Sequence, residues 1–264
     1  MTSDPTSPEK VASIDIGTNT ILLLIAKVEG GRIHPLREIE TVARLGEGLQ
    51  KNGILLKEAM DRGIQTLAQY LKWSQEMGIQ EIFVAGTSAL REAKNSEDFL
   101  KSAKEKLDLS IEVISGEEEA RLSFLAVARD LKENEKTILV VDVGGGSTEL
   151  ILGKGDQIRQ WMSLPAGSVR FTEQFFRSDP VEEEDWAKVE RRIKELLVQL
   201  PHPQETITMV AVGGTATTLA SVEQGLENFV AEKIHGFVLD QELPTAQMKG
   251  LRENPNQACQ FHQA

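Results

Sequence analysis

From Val11 onward the chain alternates short apolar runs with glycine-bearing turns. Residues 11–15 (VASID) and 21–29 (ILLLIAKVE) read as strands on either side of the polar turn GTNT, and Gly30-Gly31 turns the second into a third over 32–40. Over 55–77 the period changes. Leu56, Met60, Ile64, Leu67 and Leu71 recur at steps of three and four, and Gly78 follows as a stop, which predicts an amphipathic helix. A strand over 81–85 (EIFVA), a helix over 96–107, a strand over 111–115 (IEVIS) and a helix from about Glu117 complete the order β-β-β-α-β-α-β-α.

Around Asn134 the order begins again. Strands are expected over 137–143 (TILVVDV), 149–153 (ELILG) and 157–164 (QIRQWMSL), helices over 169–176 and 182–200, a strand over 206–212 (TITMVAV) and a helix from about Thr215. The halves share little identity, yet their openings keep one register: an apolar strand, Asp15 or Asp142, one residue, Gly17 or Gly144, small polar residues, then an apolar strand. A long-period repeat of this kind predicts an α/β chain of two similar lobes facing each other, 11–133 and 134–240. After Gly225 the template requires one more strand and helix, whereas GLRENPNQACQFHQA carries neither period. The second lobe is therefore expected to be incomplete, 241–264 to be an atypical tail, and the polar residues 1–10, with two prolines, to be a disordered leader.

Composition narrows the class. At 264 residues, 40% hydrophobic and 27% charged, the chain can build a real core. A net charge of -12 argues against the clustered positive charge that nucleic acid or an anionic membrane needs, so neither is an expected partner. An anionic ligand would have to be drawn in by local cations or a metal. The single cysteine, Cys259, allows no intrachain disulfide and no four-cysteine zinc site, which fits a reducing compartment. The N-terminus lacks the basic-then-apolar order of a signal peptide, and the longest apolar run, Ile21 to Ala26, is far short of the ~20 residues needed to span a bilayer. A cytoplasmic protein is expected.

Glycine and small polar residues in a tight turn aim several backbone N–H groups at one point, and their side chains add donors, which suits phosphate oxygens. Gly17, Thr18, Asn19 and Thr20 form one such turn, and Gly144, Gly145, Gly146 and Ser147 the other. Each glycine also has a plain reading, that a hairpin needs a positive φ. A Walker loop would end Gly-Lys-Ser/Thr and a dinucleotide fingerprint would open a helix, whereas GGGST precedes the strand-like ELILG. Gly213, Gly214 and Thr215 sit between a strand and a helix, where free N–H groups can hold an anion or nucleotide phosphate; a simple tight connection reads equally well. In IEVISGEEEARL, Ser115 and Glu118 have capping-box spacing, which leaves Glu119 as a candidate general base, although acidic residues in a first helical turn commonly serve the helix dipole. Asp142 and Glu149 flank the second turn and can hold Mg²⁺ directly or through water. Arg91 can offer a fork of donors to phosphate, or be a surface arginine. The four histidines are scattered and form no constellation.

Taken in order, IDIGTNT, VAGTSALREA, VISGEEEARL, VVDVGGGSTELI, LPAGSVRFTE, VAVGGTATTLA and IHGFVL resemble the Ppx/GppA family of exopolyphosphatases and guanosine pentaphosphate phosphohydrolases, from about Val11 to Leu239. The resemblance implies duplicated actin-like, ribonuclease H-like lobes with the active site in the cleft between them. It implies that Glu119 activates water and Arg91 contacts substrate phosphates, that the two turns are phosphate loops, that Asp142 and Glu149 take Mg²⁺ with Asp15 assisting, and that VGGTATTLA lies beside a nucleoside. Members commonly form dimers. Longer members carry a helical C-terminal domain, and short ones continue past IHGFVL with helices and a final strand, neither of which is legible here. The function expected is release of orthophosphate from polyphosphate or from guanosine pentaphosphate. The alternatives are a small-molecule kinase of the same superfamily and a noncatalytic guanosine polyphosphate binder.

Overall fold

The computed structural model describes residues 9–131, 136–198 and 206–239, so most of the expected leader and the whole of the expected tail lie outside the described residues. The chain divides into two compact units. One runs from the N-terminus to Glu119 and includes Gly145–Ser147; the other comprises Ala120–Gly144 and everything from Thr148 onward.

The first unit holds β1 (Glu9–Ile16), β2 (Thr20–Glu29), β3 (Arg32–Val42), α1 (Leu49–Asn52), α2 (Lys57–Glu76), β4 (Glu81–Gly86), α3 (Ser88–Glu92), α4 (Ser96–Leu107), β5 (Glu112–Val113) and the first turn of α5 (Gly116–Leu131). Its sheet has the order β3-β2-β1-β4-β5, antiparallel through β1 to β3 and parallel where β4 joins β1 and β5 joins β4. Period-two alternation places Ala12, Ile14 and Ile16 in the core and leaves Ser13 and Asp15 exposed. Against that face α2 buries Ala59, Gly63, Ile64, Leu67 and Tyr70, with Phe99 and Ala103 of α4 in the same core; of the expected stripe Ile64 and Leu67 are buried, while Met60 and Leu71 are partly buried at its flank. The Tyr70 hydroxyl, within 2.8 Å of both the Ile21 carbonyl and Thr41 Oγ1, satisfies its polar end inside this core. Pro35, which has no N–H to give a ladder, sits in the edge strand β3 beside the register shift at Ile25/Ala26.

The second unit repeats the plan with β6 (Thr137–Val143), β7 (Thr148–Lys154), β8 (Gln157–Leu164), α6 (Ser168–Phe175), α7 (Glu183–Leu197), β9 (Ile207–Val212), α8 (Gly214–Glu223) and α9 (Ala231–Ile234). The described strands lie in the order β8-β7-β6-β9, with β9 parallel to β6 as β4 is to β1. The βββ-then-parallel-β topology expected from the sequence is therefore present in both units. Ala120, Phe124, Val127 and Ala128 of α5 pack on Ile138, Val140 and Ile151 on one side of the sheet; Leu150 and Leu164 join Leu196 of α7 in a separate cluster.

Several expectations needed adjustment. The predicted five-residue strand over 111–115 pairs only at Glu112 and Val113, because β4 offers it just Ala85 and Gly86. The helix expected over 55–77 is α2, two residues shorter at its start and one at its end. The four-residue helices α1 and α9 and the five-residue α3 were not foreseen, since runs this short carry no helical period. No helix among the described residues is long and apolar enough to cross a membrane.

Gly153 marks the tightest packing of the second unit. A Cβ there would run into the Phe124 ring and lie 2.5 Å from the Gln157 carbonyl, at a register shift between β7 and β8. Gly153→Ala is expected to destabilise this unit by about 1–3 kcal/mol, the usual cost of overpacking a filled core. Thermal melting should fall by roughly 2–4 °C per kcal/mol; an unchanged melting temperature would show that Phe124 moves aside freely.

Candidate functional site

The turn after β1 is closed by Gly17, whose N–H donates to the Thr20 carbonyl at 2.9 Å. None of Gly17, Gly145 and Gly146 has a positive φ, so the plain hairpin reading of these glycines fails. What they share instead is crowding. A Cβ on Gly17 would meet the Thr20 carbonyl at 3.0 Å, and one on Gly145 would lie 3.2 Å from Thr18 Cβ and 3.3 Å from the Asn19 backbone nitrogen. On Gly146 it would lie 2.5 Å from Ser88 Oγ and 2.6 Å from Thr18 Oγ1. The two turns expected to bind phosphate are thus brought together in the first unit, with the Thr18 and Ser88 hydroxyls converging on bare backbone. Thr18 and Ser147 are buried, and Gly144 is set by its carbonyl, which accepts from the Ser168 N–H at 3.1 Å.

Ser88 was missed by sequence reading. It opens α3, a single helical turn that also carries Arg91, and its hydroxyl donates to Glu92 Oε1 at 3.0 Å. The signal available was its place immediately before the arginine-bearing ALRE segment. From the other end of α3, Arg91 Nη1 donates to Glu119 Oε2 at 2.7 Å and to the Ile114 carbonyl at 3.1 Å. The ion pair is screened from most solvent, with side-chain exposures of 21% and 19%. Glu119 is therefore anchored by Arg91, where the sequence had suggested a carboxylate left to project alone. Its helix start is set as expected: the Glu118 N–H donates to Ser115 Oγ at 3.1 Å, the cap half of the capping box. The chain Gly146, Ser88, α3, Arg91, Glu119 joins glycine turn to carboxylate within one unit.

In the second unit Asp142 and Glu149 are direct register partners across β6 and β7, on the sheet face that packs against α5. Ser123 of α5 donates to Asp142 Oδ2 at 2.7 Å, and Ser163, the register partner of Glu149 on β8, donates to Glu149 Oε1 at 2.7 Å. Glu149 is only 1% exposed. Burial pushes the Asp142 carboxyl above its ordinary value, against the opposing pull of the Ser123 hydrogen bond. Gly213, at φ 86°, closes on the same place: a Cβ there would lie 2.9 Å from the Val143 carbonyl and 3.0 Å from Asp142 Oδ1. Gly214 then opens α8, with Thr215 in its first turn.

Two adjacent carboxylates, one of them disfavoured in its charged form by burial, suit a hard divalent cation. Mg²⁺ in particular takes one or two protein carboxylates and fills its shell with water and phosphate oxygens. Asp15 belongs to the first unit, exposed between Leu22 and Ala85, and no three His, Cys, Asp or Glu side chains form a cage among the described residues.

Residues 24–254 match the model of the Ppx/GppA phosphatase family. A bifunctional 3-dehydroquinate synthase/phosphatase of Fusobacterium nucleatum is 39% identical over 239 residues, 85% of this chain and 36% of that protein, so the chain spans little more than a third of this curated relative. Among solved structures, the Ppx/GppA family member of Aquifex aeolicus is 35% identical with a TM-score of 0.78, covering 97% of this chain and 84% of that one. An exopolyphosphatase of Cytophaga hutchinsonii is 28% identical with a TM-score of 0.82, covering 93% of this chain and 80% of that one.

Proposed function

Since the chain belongs to the Ppx/GppA phosphatase family, we propose that it hydrolyses a terminal phosphoanhydride bond and releases orthophosphate, from inorganic polyphosphate or from the 5′ end of guanosine pentaphosphate. The observation that carries this reading is the 2.7 Å pair of Arg91 and Glu119, tied through α3 to the hydroxyl-lined glycine turn.

Apart from the Gly17 N–H, which closes its own turn on the Thr20 carbonyl, the backbone N–H groups of the 17–20 and 144–147 turns, with the Thr18 and Ser147 hydroxyls, hold the oxygens of the end phosphates. Arg91 is long and planar enough to serve a phosphate oxygen while still orienting Glu119, because its guanidinium has five N–H donors and Nη1 uses only part of them. Glu119 accepts a proton from water as the water oxygen bonds to the terminal phosphorus. The bond from that phosphorus to the bridging oxygen breaks, and its electron pair leaves with the shortened chain. Asp142 and Glu149 of the second unit would hold Mg²⁺, and the ion would supply positive charge to phosphate oxygens. Gly213–Thr215, beside Asp142, is where a nucleoside would rest.

Orthophosphate release from long-chain polyphosphate and from guanosine pentaphosphate, each with and without Mg²⁺, tests the reading. Release from at least one of them, dependent on the ion, is expected. Release from neither overturns it. ATP consumption that requires an added acceptor would move the chain to the kinases, and tight guanosine pentaphosphate binding with no release to the sensors.

A further inference from the structure

Among the described residues two that are not glycine have a positive φ, Asp108 at 51° and Arg44 at 49°. Asp108 is the C-cap of α4, a place where a left-handed aspartate is ordinary. Arg44 has no such explanation. It lies in the loop after β3, is exposed, and arginine gains nothing locally from this backbone conformation. Such a residue persists only where its surroundings over-determine it, and it tends to mark function.

The surroundings here do so on two sides. The Arg44 N–H donates to the Asn19 carbonyl at 2.7 Å, and the Gly46 N–H to the Thr18 carbonyl at 2.9 Å, so the loop is bonded to both central residues of the first phosphate turn. A Cβ on Gly46 would collide with the Thr18 methyl, so a larger residue there would have to displace the first turn's threonine. From behind, Arg62 of α2 clamps the loop: Nε donates to the Ala43 carbonyl at 2.9 Å, and one terminal nitrogen donates to the Arg44 carbonyl at 3.2 Å and to Glu47 Oε2 at 2.6 Å. Arg62 thus spends its guanidinium on the loop, whereas no acceptor among the described residues is bonded to that of Arg44. In a chain of net charge -12, an uncommitted cation is held on a strained, doubly tethered loop against the Thr18-Asn19 backbone.

We propose that Arg44 is a phosphate-binding residue of the substrate site, engaging a phosphate behind the terminal one. It would set affinity for substrates with three or more linked phosphates. The inference rests on the hydrolase reading for its kinetic consequences, but it concerns binding and is testable without turnover. Arg91 grips where the bond breaks. Arg44 grips the part of the chain that stays bound, so its contribution is made equally in ground and transition states and belongs in KM and not in kcat.

Arg44→Gly is the informative variant, because glycine accepts the positive φ without strain and should leave melting at or above that of the wild type. Titration calorimetry with sodium tripolyphosphate is expected to show binding about tenfold weaker in Arg44→Gly, with a weaker dependence on salt, and Arg44→Lys to recover most of the loss. Steady-state release from whichever substrate the wild type cleaves should show KM raised to a similar degree and kcat within about twofold. Equal tripolyphosphate affinity in wild type and Arg44→Gly overturns the assignment whether or not the chain turns over. Loss of kcat at constant KM also overturns it, in favour of a loop that positions the chemistry. A wild type that binds tripolyphosphate through Arg44 but cleaves neither substrate would sink the hydrolase reading alone.

Discussion

Glu119→Gln should bind substrate as the wild type does, within about threefold, and turn it over roughly 10²–10⁴ times more slowly, the usual worth of a positioned general base. The change is nearly isosteric. The amide oxygen can still accept the hydrogen bond that Arg91 Nη1 now gives to Glu119 Oε2 at 2.7 Å, so α3 and the start of α5 keep their connection. What disappears is the basic lone pair and the negative charge beside the guanidinium. Since the pair is about one-fifth exposed on each side and one bond is retained, melting should move by no more than about 4 °C. Direct measurement of phosphate release separates the outcomes: release at the wild-type rate would remove Glu119 from the base role, while loss of both binding and stability would make it a structural partner of Arg91. Retained binding with lost turnover is the pattern of an interaction made only as the reaction proceeds.

Asp142→Asn should give the opposite combination, a more stable protein with little activity. Burial raises the Asp142 carboxyl above its ordinary value of 3.8, so the folded state holds this proton more tightly than the unfolded chain does. The unfolded chain binds fewer protons across that window, and stability therefore falls as pH rises from 3.8 through the raised folded value; above it the penalty is fully present. Asparagine, uncharged, escapes the penalty while its amide oxygen still accepts from Ser123, which now donates to Asp142 Oδ2 at 2.7 Å. The stability gain should appear at neutral pH and vanish in acid. A Mg²⁺ titration supplies the second readout: binding to the folded state alone raises melting by mass action in the wild type, and the variant should lose that rise together with phosphate release. A variant no more stable at neutral pH would mean that the carboxylate is already compensated, and an undiminished Mg²⁺ response would remove Asp142 from the ion site.

Much of this site was legible in one dimension because its parts are local. The strand, Asp-x-Gly turn and strand of each half are contiguous, so hydrophobic alternation located both hairpins, and the Ser115 cap located the helix that carries Glu119. The short helices were not legible. Arg91 stood out as a cation after a strand, but that it points to Glu119, 28 residues further on, depends on the turn of α3, too brief to leave a period. Ser88 had only its place before the arginine-bearing ALRE segment as a signal, and Arg44 had none, since a serine and an arginine between apolar runs are commonplace until their neighbours are known.

The glycines divide the two kinds of information most clearly. The sequence by itself determined that the chain repeats, where each turn falls, and which residue types are candidates for phosphate and metal, because periodicity and turn composition act over a few consecutive residues. Only the tertiary structure decided why those residues are what they are. Gly46 and Gly146 are bare because Thr18 occupies the space on either side, Glu149 can be a buried acid because Ser163, its register partner on β8, donates to it, and Arg44 tolerates its strained backbone because Arg62 and Asn19 hold the loop. Each of these depends on atoms distant in sequence filling the same small volume, a constraint that close packing imposes and no local pattern records.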